Sequence, residues 1–281
     1  MDYGVMMFVT DYSIRPDDLA RMLEERGFES FWAPEHTHIP ASRRSPWPGG
    51  PDLPEMYWHA YDPFVALTAA AMATERLKIA TGICLVIERD PITTAKSVAS
   101  LDLLSNGRFI FGIGGGWNAE EMENHGTPFK RRWRHMRQNI LAMKQLWTEE
   151  EAEFHGDLVD FDPVWAYPKP VQKPHPPIIM GGDGPRTFDR VIEYADGWMP
   201  IYGRPGPGPS MGEKIANLKS RAKDAGRDPD SISIGVFGVP PDRETLDKLA
   251  DAGVERAVFG LPSADRETVE PLLDTYAKLI G

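Results

Sequence analysis

Glu35-His36-Thr37-His38 sets a carboxylate beside two imidazoles, the side chains that donate and accept protons near neutral pH. His36 is the candidate acid or base, although a loop histidine can do no more than hydrogen-bond to backbone. Alternate residues on an extended backbone face the same way, so His36 and His38 are also spaced to share a metal ion. A metal would need further ligands, and the other strand ends offer Asp183 and Cys84 but no additional His or Lys, which weighs against one. The stretch 111–118 carries Gly114, Gly115 and Gly116 followed by Trp117 and Asn118, so that backbone can approach a ligand where side chains would block it. Read alone, the same run is a tight turn that needs positive φ.

The stretch 177–186 passes from apolar residues through Gly181, Gly182 and Asp183 to Arg186 at a helix start. Such a turn aims backbone N–H groups and the positive end of a helix dipole at an anion, and Arg186 could add a charge-assisted bond. Lys130, Arg131, Arg132, Arg134 and Arg137 form a basic cluster that suits an anionic tail or a solvated face. Arg43, Arg44, Trp47, Tyr57 and Trp58 give the segment 34–57 the aromatic content of a cover over a flat ligand, with Trp198 and Tyr202 joining that wall.

These residues need a scaffold, and the pattern supplies one. β-type runs at 3–9, 30–33, 77–85, 108–113, 178–180, 197–200, 232–237 and 256–259 alternate with helical patterns such as 17–26, 63–74, 92–104 and 131–147. The last helix shows Val269, Leu272, Leu273, Tyr276 and Ile280 at the spacing of a helix packed on a sheet. Proline- and glycine-rich insertions occupy 34–57 and 149–177, the second with a hairpin near 153–161. Eight βα units fit either an open doubly wound sheet or a closed α/β barrel. The long insertion after the second strand favours the (β/α)8 TIM barrel, with insertions at the C-terminal mouth where such folds carry their chemistry.

A chain of 281 residues with 41% apolar and 26% charged residues is expected to form a single domain, 1–281. Net charge −11 opposes binding to nucleic acid. The lone Cys84 fits a reducing compartment, residues 1–10 lack the features of a signal peptide, and the longest apolar run, 79–87, is too short to span lipid. The expectation is a cytoplasmic protein without a membrane partner.

Four ordered motifs together resemble the bacterial-luciferase-like superfamily, and within it the oxidoreductases that use the deazaflavin coenzyme F420. They are Phe31-Trp32-Ala33-Pro34-Glu35-His36, then Ile79-Ala80-Thr81-Gly82-Ile83, then 101–109 through Gly114-Gly115-Gly116-Trp117, and 177–182 with Ala195-Asp196-Gly197-Trp198. The resemblance spans nearly the whole chain. It implies a barrel, a homodimer, a flavin-type ring inside the mouth and a phosphate at the glycine turn after the fifth barrel strand. It also implies His36 near the hydride-carrying edge of the ring and a cis non-proline peptide behind the ring at Gly82-Ile83. Cofactor contacts then fall to Glu35, Gly82, Ile83, Gly114 to Asn118, Gly181, Gly182, Asp183 and Arg186. Where the family's sugar-phosphate dehydrogenases carry an acid after the glycine run, this chain carries Trp117, which argues for a less polar small-molecule substrate. The expected activity is hydride transfer between F420 and a small organic substrate. An FMN-dependent monooxygenase and, for want of a second acid beside His36, a non-catalytic cofactor binder remain open.

Overall fold

The computed structural model describes residues 1–203 and 208–280. The chain opens with β1 (Asp2–Met6), α1 (Pro16–Glu25) and β2 (Ser30–Ala33), then crosses the first insertion through α2 (Met56–His59) to α3 (Pro63–Met72) and β3 (Lys78–Thr81). There follow α4 (Pro91–Leu104), β4 (Phe109–Ile113), the short α5 (Ala119–Asn124) and the long α6 (Arg132–Thr148). A hairpin of β5 (Ala152–His155) and β6 (Asp160–Val164) precedes β7 (Ile178–Gly181), α7 (Thr187–Tyr194), β8 (Gly197–Met199) and α8 (Met211–Asp224). The chain closes with β9 (Ser233–Phe237), α9 (Arg243–Asp251), β10 (Arg256–Gly260) and α10 (Arg266–Ala277).

Helix starts are written plainly in the sequence. Pro16, Pro63 and Pro91 occupy first-turn positions where no amide hydrogen is needed, and the Asp62 and Asp90 side chains accept the free amides of α3 and α4. Asn118 does the same for α5 by accepting from Glu121 N.

Eight strands pair in parallel as one closed barrel in the order β1-β10-β9-β8-β7-β4-β3-β2. The open-sheet alternative is thereby excluded. Alternate side chains of the strands divide the core in two. Trp32, Ala80, Ile110, Ile179, Met199, Phe237 and Val258 fill the barrel interior, while Phe31, Ile79, Phe109, Phe111 and Ile178 belong to the larger cluster between strands and helices.

Two strands end earlier than their apolar runs. The ladder of β1 stops at Met6 although Met7 to Val9 stay buried, and β3 stops at Thr81 although 82–87 remain largely buried. Both continuations are loops passing under the mouth, and an apolar run cannot by itself distinguish a strand from a buried loop. The first insertion lies over the mouth. The second packs along the outside of α6, its turn held where Leu158 N and Val159 N donate to Gln138 Oε1 at 2.9 and 3.2 Å.

Candidate active site

A cavity of about 370 Å³ opens at the C-terminal ends of the strands. Met6, Ile83, Met199 and Phe237 form its apolar floor, the uppermost layer of the barrel interior. One side is the backbone of Gly114, Gly115 and Gly116 with Trp117, and another is Gly181 to Gly184 with Thr187. The Gly82–Ile83 peptide, which is cis, lies between them. Pro48 of the first insertion and Trp133 of α6 close the ends. At Gly182, where φ is +96°, a Cβ would meet nothing within 4 Å, so the glycine turn leaves open space on the cavity side. The hollow at the opposite end of the barrel is lined by Lys78, Arg108 and Arg256, whose charged groups are already engaged by Glu29 and by backbone carbonyls.

Gly82, Ile83, Gly114, Gly115, Gly116, Trp117, Gly181, Gly182 and Asp183 are thus gathered around one cavity from separate strands. Four other candidates, Glu35, His36, Asn118 and Arg186, are not among its lining residues. Glu35 is buried, accepts from Leu85 N at 2.6 Å and pairs with Arg89, which ties the turn after β2 to the loop after β3. Asn118 caps α5. Arg186 is solvent-facing, with Asp189 at 3.6 Å. Two other cations stand nearer: Arg132, from the basic cluster that suits an anionic tail or a solvated face, lies 4.9 Å from the Trp133 ring, and Arg190, which the sequence did not single out, lies 3.7 Å over it. Neither has a carboxylate partner among the described residues, and Arg132 Nε is buried without any hydrogen-bond partner.

His36 is buried and packs on Trp117, which lines this cavity. Its ring stands 5.8 Å from the Trp117 indole and 5.1 Å from Tyr57, which packs in turn on Trp47 and Phe8. Its Nδ1 is 2.7 Å from Glu121 Oε2, and both side chains are almost fully buried. Against a carboxylate, Nδ1 carries the proton and donates it, which leaves Nε2 as the free base. Glu121 Oε1 accepts from Thr37 N at 3.1 Å and so cannot turn away. His38 points outward, to Thr37 and Asn124, so the two imidazoles diverge rather than converge on an ion.

The model of the family described as luciferase-like monooxygenase matches residues 16–267. The chain belongs to this family. An uncharacterized protein of Mycobacterium tuberculosis is 41% identical over 99% of this chain and 98% of its own. The F420-dependent hydroxymycolic acid dehydrogenase of the same organism is 27% identical over 88% of this chain and 66% of its own. The FMNH(2)-dependent dimethylsulfone monooxygenase of Pseudomonas putida is 29% identical over 72% and 53%. Among solved structures, the coenzyme F420-dependent tetrahydromethanopterin reductase of Methanopyrus kandleri superposes with a TM-score of 0.76 at 18% identity, over 99% of this chain and 97% of its own. The luciferase-like family therefore has members that use F420 and members that use FMN.

Sequence reasoning missed Glu121, which sits in a short helix, Ala-Glu-Glu-Met-Glu-Asn, that reads as an ordinary acidic turn. Its neighbour Glu120 is the anchor of the first insertion. Glu120 accepts from the Ser42 hydroxyl at 2.9 Å, Arg44 N at 2.8 Å and Ser45 N at 2.9 Å. Against the upward pull of burial, the hydrogen bonds from Ser45, Ser42 and Arg44 bring its carboxyl down to about 2.

Glu88 behaves in the opposite way. Burial, then the charges of Glu121 and Glu35, push its carboxyl up to about 9 against the pull of Arg89. An acid that binds its proton more tightly when folded adds stability below its ordinary value of 4.5 and loses it as pH climbs toward about 9. Glu88→Gln cannot ionise. Its stability relative to the parent protein should therefore rise with pH across that window, by up to about 1.4 kcal/mol per unit. Urea unfolding at about pH 5 and about pH 8 checks this. An unchanged gap between the two proteins would place the acid elsewhere.

Proposed function

We propose that this member of the luciferase-like family is an oxidoreductase that transfers hydride between the deazaflavin coenzyme F420 and a small organic substrate. The observation that carries the reading is the buried His36–Glu121 pair, held against Trp117 at the wall of the mouth cavity. The F420-dependent relatives support the choice of cofactor.

The residues present fit such a group. Ile83, Met199 and Phe237 with the backbone of Gly114 to Gly116 offer a flat, apolar seat for the ring. Gly182 to Gly184, Thr187 and the unpaired Arg132 and Arg190 suit its anionic tail. Bound there, the cofactor supplies the hydride acceptor or donor. The chain does the rest. His36 Nε2 exchanges a proton with the substrate, Glu121 fixes the tautomer that makes this possible, and Tyr57 and Trp117 exclude water from the imidazole. Trp117 presents an indole to the substrate side, which favours a substrate without phosphate.

F420 should bind more tightly than FMN in a fluorescence titration of the purified protein. FMN that co-purifies or alone quenches, together with oxygen uptake, would establish the FMN-dependent monooxygenase instead.

The proposal includes a homodimer in the cytoplasm. Helix α3 is apolar on both sides: Phe64, Leu67 and Ala70 face the core, while Val65 and Met72 are 68% and 66% exposed. Beside them, Leu103 and Leu104 of α4 are half-exposed, and a second copy presenting the same helices would cover all four. Val65→Glu with Met72→Glu should convert the dimer to a monomer in sedimentation velocity while leaving helix content unchanged. No helix among the described residues is long and apolar enough to cross a membrane.

A further inference from the structure

The first insertion carries one cation that the fold does not use. Around it, Ser42, Arg44 and Ser45 are all fastened to Glu120, the first by its hydroxyl and the other two by their amides. The Arg44 guanidinium turns back to the same place, 3.5 Å from Glu120 Oε1 and 4.0 Å from Glu123 Oε2. Arg43 stands between these anchors with a φ of +50°, a left-handed conformation sparsely populated by residues that carry a Cβ. The strained backbone persists because its neighbours are pinned, yet nothing in the fold requires arginine at that position, where glycine would sit more easily. The Arg43 guanidinium lies over the Trp117 indole, 5.8 Å from its centre, and no carboxylate pairs with it among the described residues. At that distance the ring attracts the cation only weakly and leaves its N–H donors free. Trp117 is the link to the chemistry, because its indole lines the mouth cavity and stands 5.8 Å from the His36 ring. One small molecule lying along the indole can therefore meet a guanidinium at one end and the imidazole at the other. Beside Arg43 the insertion leaves a hollow of about 510 Å³ walled by Trp47, Leu53 and Trp58, with Asp52 as its acidic wall residue.

We propose that Arg43 is a specificity-determining residue that holds a carboxylate of the substrate, and that the substrate is a monocarboxylic acid with an apolar body. The inference rests on the hydride-transfer reading above and deepens it by naming the substrate class. A guanidinium presents parallel N–H donors that match the two oxygens of a carboxylate, and the aromatic and aliphatic walls beside it suit the apolar remainder. Charge selects the carboxylate over a phosphate ester. A single guanidinium faces a hollow that also holds Asp52, so one negative charge is matched there and a second is repelled. The net charge of −11 acts in the same sense. Arg44 is already engaged by Glu120 and Glu123, which leaves recognition to its neighbour.

The test is a calorimetric binding titration of the purified full chain with phenylacetate, phenylacetamide and phenyl phosphate. Phenylacetate should bind about tenfold or more tightly than either of the others, the margin of a hydrogen bond to a charged group. Arg43→Gly suits the left-handed backbone and keeps the amides of Arg44 and Ser45 on Glu120. It should therefore unfold no more easily than the parent protein while binding the acid and the amide alike. Arg43→Lys should keep part of the preference, as a point charge without the fork. A preference for the acid that survives in Arg43→Gly overturns the proposal, as does a parent protein that binds acid and amide equally or binds neither. Absence of F420-dependent turnover would count against the proposed function instead, and the binding titration, which needs neither cofactor nor turnover, still decides on Arg43.

Discussion

Glu121→Gln should lower kcat by about 10²- to 10⁴-fold while F420 binding stays close to that of the parent protein. Glutamine has the shape of glutamate but only one acceptor end. With its carbonyl on Thr37 N, the bond now 3.1 Å long, its amide must donate toward His36 Nδ1. The imidazole proton is then forced onto Nε2, and the base becomes a donor that faces the substrate. With the amide reversed, two N–H groups meet at Thr37 and the loop after β2 loses its tie to α5. In the first arrangement the base tautomer is lost; in the second the carbonyl still accepts from Nδ1, and what is lost is the fixed position of the imidazole. The cavity lining does not include Glu121, so the cofactor titration should be nearly unaffected. Steady-state kinetics beside that titration separate the two quantities, and an undiminished kcat would remove His36–Glu121 from the chemistry.

Gly112→Ala should be the most destabilising single methyl that can be added near the mouth. A Cβ at Gly112 would lie 2.0 Å from the carbonyl oxygen of Thr81 and 3.3 Å from the Trp32 ring. The first of these is backbone, locked in the barrel by two bonds to the Gly112 carbonyl: Thr81 Oγ1 donates to it at 2.7 Å and Cys84 N at 2.8 Å. No side-chain rotation relieves the clash, so β3 and β4 must part just below Gly82–Ile83. The expected cost is about 3 kcal/mol or more, seen as a lower midpoint of chemical unfolding. Gly182→Ala is the contrast. There a Cβ meets nothing within 4 Å and the strain comes from φ alone, so its main effect should fall on cofactor affinity.

The glycine run 111–118 shows how far a sequence can be read. Its glycines signal close approach of backbone, and close approach is found, but to different things. At Gly112 the neighbour is the Thr81 backbone and at Gly115 a Cβ would strike the Trp133 ring, whereas at Gly182, in the separate turn after β7, the space is open. Glycine records that a side chain is excluded and says nothing of what excludes it. The barrel was legible for a firmer reason, since β-type runs buried on both faces alternate with capped helices along nearly the whole chain. His36 was legible because it follows a strand. Glu121 and Tyr57 were not, because their significance lies in contacts between residues far apart in the chain. Glu121 meets His36 across 85 positions, and nothing local to its helix marks it. Arg186 has the reverse history: position at a helix start promised an anion contact, yet its side chain is 79% exposed. The cations that do flank the cavity, Arg132 and Arg190, reach it by stacking on Trp133, a geometry no spacing rule encodes.

Glu120 and Glu121 are consecutive residues on one and a half turns of helix, and they hold different things. The first grips the insertion by the Ser42 hydroxyl and the Arg44 and Ser45 amides, and the second grips the imidazole. A displacement of α5 therefore loosens both grips together. Roof and base are fastened to the same nail, so an open roof is also a disarmed base. The covering insertion and the orientation of the imidazole are thereby coupled through one short helix rather than set separately.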